Sequence, residues 1–112
     1  MIAFRVPADY VPGTDMSALL WWIDDFNGAC DYDIRSSYQL YQDGVEVVVP
    51  GGMTNTDAIV TSVVDTVHLS ELRSITGLEG DEMVLYCVNY YNAGGAEALL
   101  FVGLEITYTA YV

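Results

Sequence analysis

Residues 76–91 read Thr76-Gly77-Leu78-Glu79-Gly80-Asp81-Glu82-Met83-Val84-Leu85-Tyr86-Cys87-Val88-Asn89-Tyr90-Tyr91. A two-glycine acidic turn runs directly into nine residues rich in strand formers. Gly77 and Gly80 supply the backbone freedom that a tight corner needs, and Asp81 is placed to close it by accepting from nearby backbone amides. From Met83 to Tyr91 only Asn89 interrupts the apolar run. That pattern predicts a central strand, with neighbours on both sides, in a layered β-domain.

The chain on either side carries the same kind of signal. Ile2, Phe4 and Val6 alternate with Ala3 and Arg5 in a short first strand that Pro7 limits. Pro12-Gly13 fixes a reversal, and Ser17 to Ile23, apolar on both faces, reads as a second strand inside a sheet; seven residues between Asp15 and Asp24 are short for a helix. Asp24-Asp25-Phe26-Asn27-Gly28 reads as a hairpin loop, since Asn-Gly accepts positive φ. Beyond it Cys30, Tyr32, Ile34, Tyr38 and Leu40 share one face, while Asp31, Asp33, Arg35, Ser37 and Gln39 share the other. Gln42-Asp43-Gly44 turns the chain into Val45 to Val49, and a polar loop follows from Pro50. Ala58 to Leu69 supplies one bent strand or two, Glu71 to Ile75 a single helical turn, and Ala98 to Val112 a long terminal strand. The expected architecture is all-β: one domain over residues 1–112, an antiparallel two-sheet β-sandwich, jelly-roll-like, of about seven or eight strands.

Composition narrows the function classes. Sixteen acidic residues stand against Arg5, Arg35 and Arg73, with no lysine, for a formal charge of -13. Nine Tyr, two Trp and three Phe separate this chain from acidic disordered sequences, which lack aromatics. With no cationic patch to displace counterions, nucleic acid is excluded as an expected partner, and the same field disfavours anionic membranes. A saline setting or a partner with a basic surface suits such charge. Mean hydropathy is nonetheless +0.31. A domain this small has much surface for its volume, so part of the apolar mass is expected in contacts between subunits. Met1 to Pro7 lacks the basic region and long apolar segment of an export signal, and no stretch reaches the ~18 apolar residues that span a bilayer.

Sites for chemistry are sparse. His68 is the only histidine, so one chain offers neither a His-paired nucleophile nor a conventional zinc set, and a strand histidine beside Val67 and Leu69 is expected to be structural. Asp24, Asp25, Asp31 and Asp33, with Asn27, could offer oxygen ligands to calcium across a hairpin, but they lack the spacing of a helix-loop-helix calcium loop; a solvated acidic loop is the competing state. Cys30 and Cys87, each on the apolar side of its predicted strand, read as buried free thiols, because Trp21 and Trp22 precede Cys30 where an immunoglobulin disulfide wants Trp after the first Cys. No catalytic residue and no cofactor is expected. The seven strand tyrosines Tyr32, Tyr38, Tyr86, Tyr90, Tyr91, Tyr108 and Tyr111 are expected to pack between sheets or subunits, with a sugar-stacking platform as the alternative, and at least one of Trp21 and Trp22 is expected in the core.

The order Phe4-Arg5-Val6-Pro7-Ala8-Asp9-Tyr10-Val11-Pro12-Gly13-Thr14-Asp15, an apolar strand with Trp, then Gly77-Leu78-Glu79-Gly80-Asp81 before another apolar strand, and a last strand ending Glu105-Ile106-Thr107-Tyr108, resembles small β-sandwich virion structural proteins of tailed phages and tailed viruses of archaea. The resemblance covers most of the chain and departs at the glycine-punctuated middle, Gly44 to Asn55. It implies a non-enzymatic bacteriophage-type virion component: a capsid decoration or head-fibre protein, or a small tail protein. Such a protein would assemble in the host cytoplasm as a homo-oligomer, a trimer being favoured, beside partners such as the major capsid protein. A carbohydrate-binding sandwich, such as a receptor-binding tail component, is the alternative, and a small hydrolase the third.

Overall fold

The structure, a computed structural model, describes residues 2–24, 31–45, 56–61, 66–92 and 99–112. Among them there is no helix. Seven strands are formed: β1 (Ile2–Arg5), β2 (Ser17–Asp24), β3 (Asp31–Tyr41), β4 (Ala58–Thr61), β5 (Val67–Glu71), β6 (Met83–Asn92) and β7 (Leu99–Thr107). They make two antiparallel sheets, ordered β1-β6-β3-β4 and β5-β2-β7. The expected central strand is there: β6 lies between β1 and β3 and pairs with β3 along ten positions, Tyr32↔Asn92 to Tyr41↔Met83.

The two sheets share one core. Ala18, Leu20 and Trp22 from β2 meet Tyr32 and Ile34 from β3 and Val84 and Tyr86 from β6, all buried. The strand pleat explains the selection: alternate residues face the same way, so each strand delivers one face inward. The principal extents are 47 × 33 × 17 Å, and the shortest suits two sheets stacked about 10 Å apart. This is an all-β, two-layer arrangement consistent with a β-sandwich.

Trp22 is the centre of that core. Its ring meets Tyr32 edge-on at 5.2 Å between centroids and stacks on His68 at 4.5 Å, and its Nε1–H donates to Ser70 Oγ at 3.0 Å. The single histidine is therefore part of the packing, as expected. Tyr32 continues the aromatic contacts to Tyr90 at 5.8 Å and places its hydroxyl 3.4 Å from Asp24 Oδ1. Among the described residues no buried side-chain polar atom lacks a partner.

Several expectations need correction. β2 and β3 lie in different sheets and so do not form the expected hairpin, while the loop expected at residues 24–28 lies, beyond Asp24, outside the described residues; turn-forming residues do not choose a strand's partner. Residues 58–69 divide into β4 and the start of β5. Glu71 ends β5 and Ile75 bridges Met16 in extended pairing, so no helical turn forms there. β7 stops at Thr107, and its register shifts between Trp21 and Trp22, placing an extra residue, Val102, opposite the gap. That bulge puts Leu100 and Leu104, which simple alternation would place on one face, on opposite faces. Cys87 is a free, half-buried thiol on the strand face shared with Leu85 and Asn89, opposite to the core-facing Val84 and Tyr86, so it is not on the apolar side. Cys30 and the strand expected at Val45 to Val49, beyond Val45 itself, lie outside the described residues.

Candidate functional site

Three surfaces and one buried network are the candidate sites of this fold. The first is the outer face of the three-stranded sheet. β2 turns Ala18, Leu20, Trp22 and Asp24 into the core, which leaves Leu19, Trp21 and Ile23 outward and only partly covered. Cross-strand partners share their face: Trp21 lies beside Leu69 and Gly103, and Ile23 beside Val67 and Leu100. Val67 and Leu69 are each 49% exposed and Leu100 46%, whereas Phe101, also exposed, pairs with the core-facing Trp22 and Val102 is the unpaired bulge residue. No charged residue belongs to this part of the face. Glu71 and Glu105 flank Leu19 at one end of it. Apolar residues gathered on one exposed face are the kind of surface that contacts use.

The outer face of the four-stranded sheet is different in kind. Arg35 grips Asp33 with two hydrogen bonds, of 2.8 and 3.2 Å, and its guanidinium lies 4.5 Å over the Tyr91 ring. The Arg35 side chain holds the Asp33 carboxyl below its ordinary range. Asn89 is the neighbour of Arg35 across the strands. Tyr91 is exposed, but a ring whose face already carries a guanidinium is a poor platform for a sugar.

The third surface is a groove of about 250 Å³ at the seam where the edge strands β1 and β7 run together, lined by Ile2, Phe4, Pro7, Leu104, Ile106 and Tyr108. At its end the Tyr108 hydroxyl donates to Asp9 Oδ1 at 2.9 Å, and this bond to a carboxylate, with some burial, raises the Tyr108 hydroxyl above its ordinary range.

The buried network joins four segments. Ser36 donates to Asp57 Oδ2, and Arg73 N donates to both Ser36 Oγ and Asp57 Oδ2 at 3.2 Å. The Tyr86 hydroxyl donates to the Arg73 carbonyl at 2.6 Å and lies 3.1 Å from Ser36 Oγ. An open concavity of about 350 Å³, lined by Thr56, Asp57, Glu71, Leu72 and Arg73, lies over it. Ser36 is fully buried, and His68 stacks on Trp22 elsewhere in the fold, so a substrate in that concavity would meet no activated hydroxyl. The network acts as a pin between β3, β6 and the residues preceding β4 and following β5.

Burial pushes the Tyr86 hydroxyl up to about 12, against the opposing effect of its hydrogen bond with Ser36 and with a smaller push from the Asp57 charge. A folded value above the unfolded one, near 10, means the folded state holds the proton longer. The associated stability, roughly 2–3 kcal/mol, is complete below pH 10 and is lost as the pH rises through 12. Tyr86→Phe is expected to cost about 1–2 kcal/mol at neutral pH through its lost hydrogen bonds. Urea unfolding should show that gap closing as the pH approaches 12; a gap independent of pH would refute the assignment.

Of the residues singled out for calcium, the two whose side chains are described, Asp24 and Asp33, do not converge. Asp24 is fully buried with its carboxylate near the Tyr32 hydroxyl, whereas Asp33 is turned outward on the other sheet and taken by Arg35. Asp25 lies outside the described residues, as does the side chain of Asp31. Among the described residues no group of three or more His, Cys, Asp or Glu side chains is placed to hold a metal ion. What sequence reasoning missed is which apolar residues stay outside. The signal was present in β2, whose two faces are both apolar although only one can enter the core.

No protein-family model, no curated protein and no solved structure matches this chain.

Proposed function

We propose that this protein is a non-enzymatic structural subunit that assembles with copies of itself, as a virion accessory or capsid-decoration protein would, next to larger shell components such as a major capsid protein. One observation carries the reading: among the described residues, the outer face of the β5-β2-β7 sheet from Trp21 to Ile23 is apolar and uncharged on a chain of net charge -13. Removing that face from water is favourable, and carboxylates elsewhere keep the assembled surface solvated. A two-sheet fold with a pinned polar core is a rigid tile, which suits assembly. We further propose a jelly roll. β1, β6, β3 and β4 follow the order of its first, last, third and sixth strands, the β2–β5 pair that of its second and seventh, and β7 is added beside β2.

The carbohydrate-binding alternative draws its support from Tyr91 with Asp33, Arg35 and Asn89, and is weakened by the guanidinium on the ring. Among the described residues no helix is long and apolar enough to cross a membrane. The reading is tested by size-exclusion chromatography with light scattering at micromolar concentration, together with the location and copy number of the chain in purified particles. An oligomer present in many copies per particle is expected. A clean monomer absent from particles would end the proposal, and glycan binding abolished by Tyr91→Ala would replace it with the alternative.

A further inference from the structure

Among the described residues the two sheets differ by one strand, and the place left over lies at the seam between β1 and β7. We infer that this seam receives an extended segment of a second protein, apolar at alternate positions and cationic between them, which adds as a strand to the free edge of β7. The surface is not the outer β5-β2-β7 face, and the inference stands whether or not copies of the chain associate through that face.

Strand count comes first. The four strands β1-β6-β3-β4 face the three strands β5-β2-β7, and the layers come together on one side, where β4 and β5 approach each other. The shortfall is therefore at β1. Its Ile2 and Phe4 lie beside Tyr86 and Val84, which are buried in the core, so both face inward; yet Ile2 is 37% exposed and Phe4 is only half-buried. With Pro7, Leu104, Ile106 and Tyr108 they line the groove of about 250 Å³, and all six belong to the described segments.

The strand edges come second. Among the described residues β1 pairs only with β6 and β7 only with β2, so each presents unpaired backbone N–H and C=O groups along its other side. β1 is a poor template, being four residues long and followed by Pro7. β7 is a better one. Past its bulge the register with β2 is unbroken from Trp21↔Gly103 to Ser17↔Thr107, and no proline interrupts it. Leu104 and Ile106 lie beside the buried Leu20 and Ala18, so a strand laid against β7 would turn alternate side chains, ~7 Å apart, inward over β1. The groove is smaller than the ~300 Å³ at which pockets for free small molecules begin, and it suits such side chains better.

Charge selects the occupant. The intervening side chains would emerge beside Glu105, exposed on the outward side of β7, and the groove ends at the exposed Asp9, whose carboxylate accepts from the Tyr108 hydroxyl. On a chain of net charge -13 both positions favour cations. The chain itself has none to give, because it contains no lysine and only three arginines, each already placed. Arg5 stands between Phe4 of the groove and Val6, which is buried and donates its amide to the Glu82 carbonyl. Arg35 is held by Asp33 within β3. Arg73 has its amide and its carbonyl in the network of Ser36, Asp57 and Tyr86. The cationic segment therefore comes from another protein.

The test is calorimetric titration of the full chain, in physiological salt, with three capped peptides: alternating Val-Lys-Val-Lys-Val-Lys, the same peptide with Glu for Lys, and the reordered Val-Val-Val-Lys-Lys-Lys. The alternating cationic peptide is expected to bind, and the other two at least about tenfold more weakly. Glu105 is exposed, so Glu105→Lys is expected to fold; it should weaken that binding about tenfold, since an opposite-charge pair across the strands becomes a like-charge pair. Backbone pairing is read separately, with the alternating peptide N-methylated either at every Val or at every Lys. Successive amides of a strand point to opposite edges, so only one of the two patterns should abolish binding. No binding of the alternating peptide, equal binding of the reordered one, indifference to Glu105→Lys, or like behaviour of the two methylation patterns would each overturn the inference.

Discussion

Trp22→Ala is expected to lower the unfolding free energy by about 4 kcal/mol, the largest loss available from one side chain in this fold. Trp22 is fully buried, touches Tyr32 and His68 with its ring, and uses its only polar atom on Ser70. Truncation opens a cavity between the two layers and leaves the Ser70 hydroxyl without that donor. For a domain near this size the melting temperature should fall by roughly 15–20 °C. Trp22→Phe keeps most of the ring and should cost about half as much. Trp21→Ala is the informative control, because its side chain faces outward from the same strand. At concentrations where the chain is a monomer, its loss should stay near ~1 kcal/mol. Thermal melts of the three variants check the assignment, and equal losses at Trp21 and Trp22 would contradict the strand phase.

That contrast also marks how far the sequence could be read. Alternation in residues 31–40 predicted which face is wet, because the charged residues there, Asp31, Asp33 and Arg35, occupy one parity only, and Tyr32 and Ile34 are buried as expected. In β2 both parities are apolar, so Trp21 and Trp22 were equivalent until partners were known. Their difference is set across the sheet, by Ser70 receiving one indole and Gly103 leaving space beside the other. Pairing partners were illegible for the same reason: Asn27-Gly28 is good turn chemistry, yet β3 pairs with β6, far away in the chain. The outer apolar face was visible only as an excess of apolar residues; locating it needed the register of β5 and β7 and the bulge at Val102. Within the acidic cluster, Asp24 and Asp33 are neighbours in sequence but belong to different sheets, a separation that spacing alone does not reveal.

The corner before β6 shows the same limit at finer scale, and it yields the second large prediction. Gly77 and Gly80 adopt φ of 77° and 114°, as a tight corner requires. The carboxylate that closes it belongs to Glu82, not to Asp81. Glu82 is buried; its Oε2 accepts from the Glu79 amide at 2.6 Å, and its Oε1 from the Gly80 and Asp81 amides at 2.6 and 2.9 Å. Asp81 is exposed and accepts from Gln42 Nε2 at 2.8 Å. Strand parity explains the exchange, since Glu82 lies on the face of Val84 and Tyr86 and so turns inward under the loop. Its own carbonyl receives the Val6 amide at 3.0 Å, and Leu78 O receives the Gly13 amide at 3.2 Å, so the corner ties β6 to the N-terminal segment. Glu82→Gln puts an NH2 group where one oxygen accepted and removes the charge from the remaining bonds. It should cost about 2–3 kcal/mol, with a melting temperature roughly 10 °C lower. Asp81→Asn, on the surface, should stay within about 0.5 kcal/mol. Amide hydrogen exchange at Glu79, Gly80 and Asp81 should speed up in the Glu82 variant while exchange in β3 is little changed. If Asp81→Asn proves the more damaging of the two, Glu82 does not hold the corner, and the inward turn of the residue before β6 has been assigned to the wrong acid.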